Sequence, residues 1–334
     1  MNRKIKAEAI LDRAVTYGGY GAFILVAIVF ALSSQEFLSL DNIINIIVQS
    51  SILGIVACGM TVILIGSGTH VIKGGIDLSL ASNMACGAAV TALLCQGGMG
   101  LFPAFAIGAV LSLVIGVINA FAVVKLQVSP LLVTLSMMYI LDGVTMAITG
   151  NSVVSISNDA LTFIANGRIL GIPVIVWVFI IIAAVLFLLC NKTSYGNRLY
   201  ACGGNSMAAK TAGIKVPKMV MGTYIMAAAA AAIAGLLTNA RLSGSVPGTA
   251  STMFLDVMLI AYMSAIFSKR AVPNIIGAVI SAIFVGMLSN GFTLMGVPSY
   301  WVAAIKGILI LISVSLTSFN KGGELNEQTK IVFW

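Results

Sequence analysis

Charge is what this sequence has least of. Of 334 residues, 8% are Asp, Glu, Lys or Arg and 60% are hydrophobic. A soluble domain carries about 25% charged residues. A chain of this length folded in water exposes more surface than so few polar groups can cover. The scarcity excludes an ordinary soluble enzyme, a secreted disulfide scaffold and a disordered chain. Histidine is nearly missing too. His70 stands alone, with no cysteine or carboxylate cluster beside it, so no metal site is indicated. The five cysteines Cys58, Cys86, Cys95, Cys190 and Cys202 contain no C-x-x-C pair, which removes zinc and redox readings. A buried free thiol behaves as a small hydrophobe. No G-x-x-x-x-G-K-[ST] phosphate loop occurs. Neither paired carboxylates nor a Ser/His/Asp set is present, so the chain reads as non-catalytic. Residues 1–13 are mixed-charge and amphipathic and lead into no small-residue cleavage pattern, which argues against a cleavable signal.

What the sequence has in abundance is long apolar runs. A spanning helix needs about 20 apolar residues to cross about 30 Å of hydrocarbon. Ten segments qualify, at roughly 17–34, 43–68, 78–97, 101–124, 130–149, 171–190, 219–240, 254–268, 272–292 and 299–319. The second is long enough to be tilted or broken, and the eighth is short. The fold class is therefore an all-α polytopic membrane protein with about ten transmembrane helices. Residues 1–16 form a cytoplasmic N-terminal segment, 17–319 a single transmembrane domain, and 320–334 a cytoplasmic tail.

Charge placement orients the spans. With the N-terminus cytoplasmic and ten alternating spans, the inner side holds Arg3, Lys4, Lys6, Arg13, Lys73, Lys125, Lys192, Arg198, Lys210, Lys215, Lys218, Lys269, Arg270, Lys321 and Lys330. The outer side keeps Arg168 and Arg241, and Lys306 lies within a span. Fifteen basic residues inside against two outside follow the positive-inside rule. Both termini are expected in the cytoplasm.

The internal loop 191–218 holds five basic residues and no acidic one. Within it Asn205 is a good helix N-cap, Ser206 to Ala212 make about two turns, and Gly213 is a natural left-handed stop. Pro217 closes the loop before the next span. A short capped helix of small residues held outside the bilayer suits docking into a partner's groove. The competing reading is a solvated connector.

This loop resembles the pattern Y-G-x-x-x-x-A-x-G-G-N-x-x-A-A-x-x-A-G-I of ribose-type ABC-transporter permeases, the bacterial monosaccharide importer class. Three more stretches resemble that family in order: Gly74-Gly75-Ile76-Asp77-Leu78-Ser79; Gly116 to Asn119 followed by Pro130 to Leu135 with Thr134; and Asn290-Gly291, Gly296-Val297, Trp301 and Lys306-Gly307. The resemblance implies a type II importer-like permease subunit in the bacterial inner membrane, paired with a second, identical or paralogous permease. It implies a cytoplasmic ATPase with two nucleotide-binding domains, which would bind the ATP and Mg; none binds to this chain. A periplasmic or lipid-anchored solute-binding protein would deliver the sugar. It further implies coupling to the ATPase through Gly203, Gly204, Asn205, Ser206, Ala208, Ala209, Gly213 and Ile214. Autoinducer-2, nucleosides, branched amino acids or another small polar solute are alternative cargoes. From another class, a stand-alone secondary transporter or channel is the alternative.

Two departures stand out. Asp142-Gly143 replaces the family's common Arg-Gly, and a Lys269-Arg270 turn before Pro273 replaces a glycine-rich one. Either a non-identical partner permease or lineage drift would account for them. Ionisable groups at membrane depth are costly and tend to face the protein interior, which singles out Asp77, Asp142, Asp256 and Lys306. Asp77 reads as a cap of the third span through Ser79, Asp256 as an N-terminal cap or dipole partner of the eighth, and Lys306 as the partner of a carboxylate. Tyr300 and Trp301 read as an interfacial aromatic belt. Asn83, Asn119, Asn290, Phe254 and Phe292 are the candidates for the translocation path, with Asn239 as a further buried amide.

Overall fold

The computed structural model describes residues 19–68, 75–268 and 272–331, with side chains up to 315. His70, Lys73, Gly74, the Lys269-Arg270 turn and the segment 1–16 lie outside the described residues.

The chain is a bundle of helices: α1 (Gly19–Ser33), α2 (Leu40–Ser67), α3 (Leu80–Gln96), α4 (Leu101–Val124), α5 (Pro130–Thr149), α6 (Asp159–Asn166), α7 (Val174–Lys192), α8 (Ser194–Gly204), α9 (Ser206–Thr211), α10 (Val216–Leu242), α11 (Thr249–Met263), α12 (Ile275–Leu294) and α13 (Ser299–Ile331). Six of them, α2, α4, α5, α7, α10 and α12, are long and apolar enough to cross a membrane, and α1, α3, α11 and the first part of α13 are shorter apolar helices. The protein is an all-α polytopic membrane protein.

The second apolar segment is not broken. α2 is one continuous helix of 28 residues, started by the Ser39 side chain accepting from the Asn42 N–H at 3.3 Å. Nothing inside it breaks the hydrogen-bond ladder, since Gly68, with φ +81°, comes only after its last turn. A helix that is apolar all round is a buried helix. α2 fits this: Ser50 to Gly66 are buried without interruption beneath α7, α8, α10, α11 and α12. Its contact with α10 is close because a Cβ at Gly59 would come within 3.0 Å of the Ala227 Cα and 3.1 Å of the Ala230 Cβ. Lipid gives no hydrophobic drive between helices, so small residues set how near they approach. The alanine run of α10 serves this packing on α2, α3 and α4. By contrast α5 buries only Thr134, Leu141, Thr145 and Thr149 and turns its other faces outward.

The segment between the expected spans 130–149 and 171–190 is ordered rather than a plain connector. Strand β1 (Val154–Ser155) pairs antiparallel with β4 (Gly244–Ser245) from the α10–α11 link. Asn158 caps α6 by accepting from the Ala160 N–H at 2.9 Å. Strands β2 (Arg168–Ile169) and β3 (Ile172–Pro173) form a hairpin turning through Leu170 and Gly171, both left-handed, as a two-residue hairpin requires. The sixth span begins at Val174 rather than 171 because the hairpin takes the residues before it. α11 starts at Thr249 and so places Asp256 a full two turns inside. α13 continues past 319 to Ile331.

Candidate functional site

Residues of interest collect at opposite ends of the bundle. At one end, α8 and α9 leave the apolar layer. Thr193 caps α8, accepting from the Gly196 N–H at 3.2 Å. α8, which the sequence did not suggest, is seated on the end of α2: a Cβ at Gly203 would collide with the Ile65 carbonyl, whereas Gly204 faces open space. Asn205 ends α8 and starts α9, its side chain accepting from the Ala208 N–H at 3.0 Å. Gly213, at φ +79°, closes the motif, and the Ile214 N–H donates to the Ala209 carbonyl at 3.0 Å. The start and stop read from the sequence are those of the structure.

The two alanines of α9 differ. Ala208 is exposed, but Ala209 is 4% exposed and packs into the core, so only Ala208 belongs to the free face. That face carries Ser206, Lys210 and Met207, the last 70% exposed. A groove of about 610 Å³ runs between α9 and the start of α10, with Lys125, Lys210, Lys215 and Lys218 around Met207, Ile214, Val216 and Pro217. Behind α8, the Tyr200 hydroxyl donates to the Pro273 carbonyl at 3.4 Å, and burial pushes its phenol up to about 12, keeping it a donor.

Several other candidates are occupied in holding helices together. Asp77 accepts from the Ser79 N–H at 2.9 Å and the Ser79 hydroxyl at 2.6 Å, which caps the turn just ahead of α3. Asn119 joins them, donating to Ser79 Oγ at 2.8 Å and Asp77 Oδ2 at 3.3 Å. Gly75 sits where any Cβ would meet Ser67. Asn83 donates to the Ser112 carbonyl at 3.1 Å, and Asn239 to the Ala88 carbonyl at 2.9 Å. Asn290 exchanges amide hydrogen bonds with Asn42 at 2.7 and 3.0 Å. Phe292 stacks edge-on against Phe30, Phe254 is half-buried on α11, and the Thr134 hydroxyl donates to the Pro130 carbonyl of its own helix. These path candidates do not converge on one cavity. Trp301 is exposed beside Tyr300, with ring centroids 6.2 Å apart. Asp142 is half-buried on α5.

A cavity the sequence did not single out lies at the other end. It measures about 400 Å³ and is lined by Gln49, Ile52 and Leu53 of α2, Thr238, Arg241 and Leu242 of α10, Thr249, Thr252, Met253 and Asp256 of α11, Ser289 of α12 and Lys306 of α13. Lys306 Nζ and Asp256 Oδ1 lie 2.7 Å apart, with side chains 12% and 8% exposed. Lys306 thus has the carboxylate partner expected of it. Asp256 is not a helix cap, because its carboxylate is bonded across to α13. Arg241 donates to Asn45 Oδ1 at 3.3 Å. The helix directions fix where this cavity is. It takes residues from the starts of α2, α11 and α13 and from the ends of α10 and α12, while α9 adjoins the start of α10 and α8 the end of α2. Among the described residues no group of His, Cys, Asp or Glu could hold a metal ion.

The polytopic bundle thus carries a short capped helix at one end and a polar cavity at the other, and its class is that of a transport permease. Residues 42–314 match the family model described as branched-chain amino acid transport system / permease component, and the chain belongs to that family. It is 33% identical to the ribose import permease protein RbsC of Escherichia coli strain K12 over 295 residues, 87% of this chain and 89% of the relative. It is also 33% identical to RbsC of Bacillus subtilis strain 168, covering 89% and 90%. To the D-allose transport system permease protein AlsC of E. coli K12 it is 32% identical, covering 94% and 97%. No solved structure matches.

Proposed function

We propose that this chain is the permease subunit of an ATP-driven importer, forming the membrane path for a monosaccharide. The observation that carries the reading is the 33% identity to ribose import permeases across nearly the whole chain. It is supported by a chain with no phosphate loop of its own and an exposed, capped α9 offered to a partner.

In this reading α1 to α5, α7 and α10 to α13 are ten spans of a type II importer-like permease within 17–319, with both termini cytoplasmic. Lys125, Lys210, Lys215 and Lys218 around one groove favour that end as the inner side. α9 is the coupling helix. Gly203, Asn205, Ala209, Gly213 and Ile214 shape it, while Ser206, Met207, Ala208 and Lys210 make its contact face with the ATPase. ATP and Mg bind on that ATPase, a binding protein delivers the sugar, and a second permease subunit completes the path. A paralogous partner would account for Asp142 and the Lys269-Arg270 turn.

The test is to express the chain with its chromosomal neighbours, purify it in mild detergent and reconstitute it. The expected result is a copurifying ATPase with two nucleotide-binding domains and ATP-dependent uptake of ribose or allose. The panel includes autoinducer-2, nucleosides and a branched-chain amino acid, the cargo class in the family description. A chain that purifies alone and moves solute on an ion gradient without ATP refutes the importer reading.

A further inference from the structure

The cavity between α2, α10, α11, α12 and α13 gathers polar groups from all five helices around an apolar strip. Its hydroxyls have their protons committed to backbone carbonyls of their own segments: Thr238 to Ala234 at 2.8 Å, Thr249 to Val246 at 2.6 Å, Thr252 to Thr249 at 2.8 Å and Ser289 to Val285 at 2.9 Å. A hydroxyl that has donated still has lone pairs, so these oxygens act as acceptors. Donors come from Arg241, whose guanidinium fork carries five N–H groups and gives one to Asn45, and from the half-buried Gln49 amide. Lys306 and Asp256 cancel each other's charge, and both keep hydrogen-bonding capacity beyond their mutual contact. Between these polar groups, Ile52, Leu53 and Met253 give an apolar wall.

Fixed donors, fixed acceptors and an apolar strip together match a small molecule whose hydroxyls both donate and accept and whose C–H faces are apolar. The volume of about 400 Å³ falls in the lower part of the range of about 300–1,000 Å³ typical of small-molecule sites. It suits a single sugar ring rather than an oligosaccharide. The cavity lies at the end of the bundle away from α9, the end that faces the binding protein under the importer reading.

We propose that this cavity is the first station of the cargo in the permease, holding a neutral monosaccharide through Gln49, Arg241, Thr252 and the Asp256–Lys306 pair before it moves inward. The identity of the cargo rests on the importer reading; the presence of a polyol site does not. Because the cavity is open on one side and its one carboxylate is already shared with Lys306, the station binds weakly, which lets cargo leave it.

The experiment uses the permease purified with its ATPase, without the binding protein. Gln49→Cys is alkylated by a water-soluble maleimide with and without a high concentration of D-ribose, and glycine betaine at equal osmolality is the control. Thr293→Cys, exposed near the same end but outside the cavity, is the reference site. The expected result is that ribose slows labelling at position 49 several-fold and leaves position 293 unaffected, with betaine slowing neither. Equal rates with and without ribose, or equal slowing at both positions, would overturn the proposal. In reconstituted transporter, Gln49→Leu should lower ribose uptake per assembled complex about three- to tenfold, the effect of one lost hydrogen bond. Uptake equal to wild type would also overturn it. If wild-type transporter imports no sugar but ribose still protects position 49, the cavity assignment stands and the importer reading fails.

Discussion

Removing one member of the Asp256–Lys306 pair should cost the permease about 2 kcal/mol, a figure set by two opposing limits. Breaking a buried ion pair in a water-soluble protein costs about 3–5 kcal/mol, because the remaining charge is stranded. Polar contacts between helices in a membrane are worth less, about 0.6 kcal/mol on average and about 1.7 at most, because the unfolded chain in the bilayer also finds partners. Here both side chains are about nine-tenths buried, yet they line a cavity open to one side, so water softens the penalty without abolishing it. Asp256→Asn leaves the ammonium facing a neutral amide, and Lys306→Met leaves the carboxylate unpaired in its turn. The double variant strands neither charge and should recover about 1.5 kcal/mol of the summed single losses. The assay is a double-mutant cycle on detergent-purified permease, with unfolding by SDS followed through tryptophan fluorescence. Trp301, five residues before Lys306 on α13, reports on the helix in question. A coupling below about 0.5 kcal/mol, the scatter expected of independent sites, would refute the view that the pair joins α11 to α13.

Ala208→Trp should leave the purified permease folded, judged by size-exclusion profile, and lower ATP-driven uptake at least about tenfold, because a loss of about 1.4 kcal/mol at the docking face is already tenfold. Ala209→Leu should act on stability instead, costing about 1–3 kcal/mol by overpacking a filled site, and unfolding measurements separate the two. Asn205→Ala removes the cap on the Ala208 N–H and should weaken α9 by about 1 kcal/mol, with Asn205→Asp restoring uptake. Gly213→Val forces a branched residue to φ +79° and should reduce the amount of ATPase that copurifies.

The start and stop of α9 could be read from sequence because their signals are local. Asn205 and Gly213 each act through backbone groups within four residues, so cap and stop are legible without knowing the fold. α8 escaped because its mixed composition, Tyr195 and Tyr200 among small and basic residues, has no membrane-span signal, and its stability comes from seating on α2. The cavity escaped for a deeper reason. In a bilayer the outside of the bundle is as apolar as the inside, so hydropathy does not tell which face of a helix turns inward. Gln49 carried no signal that singled it out, and Arg241 read as a charge on the outer side. Helix direction held the missing signal: Gln49, Asp256 and Lys306 fall eight to ten residues into helices that start at the same end, and Arg241 and Ser289 fall near the ends of helices that finish there. The amides Asn83, Asn119 and Asn290 each bond a neighbouring helix or turn, so their polarity at membrane depth does not by itself distinguish a path residue from a packing one.

α2 and α10 join the two ends. α10 begins immediately after the Gly213 stop of α9 and runs 27 residues to Leu242, passing Thr238 and Arg241 at the cavity. α2 runs 28 residues in the opposite sense, from beyond Gln49 at the cavity to Ser67, where α8 rests on its final turns. At about 1.5 Å per residue each spans roughly 40 Å without a break. Their contact at Gly59 and Ala227 is too tight to admit a side chain, and close-packed interiors do not deform continuously. Under the importer reading, a push on α8 and α9 would therefore reach the cavity through two stiff helices moving together, against the walls that belong to α11, α12 and α13. In that reading the docking helix and the proposed sugar station sit on the same pair of helices, and neither needs any motion inside it.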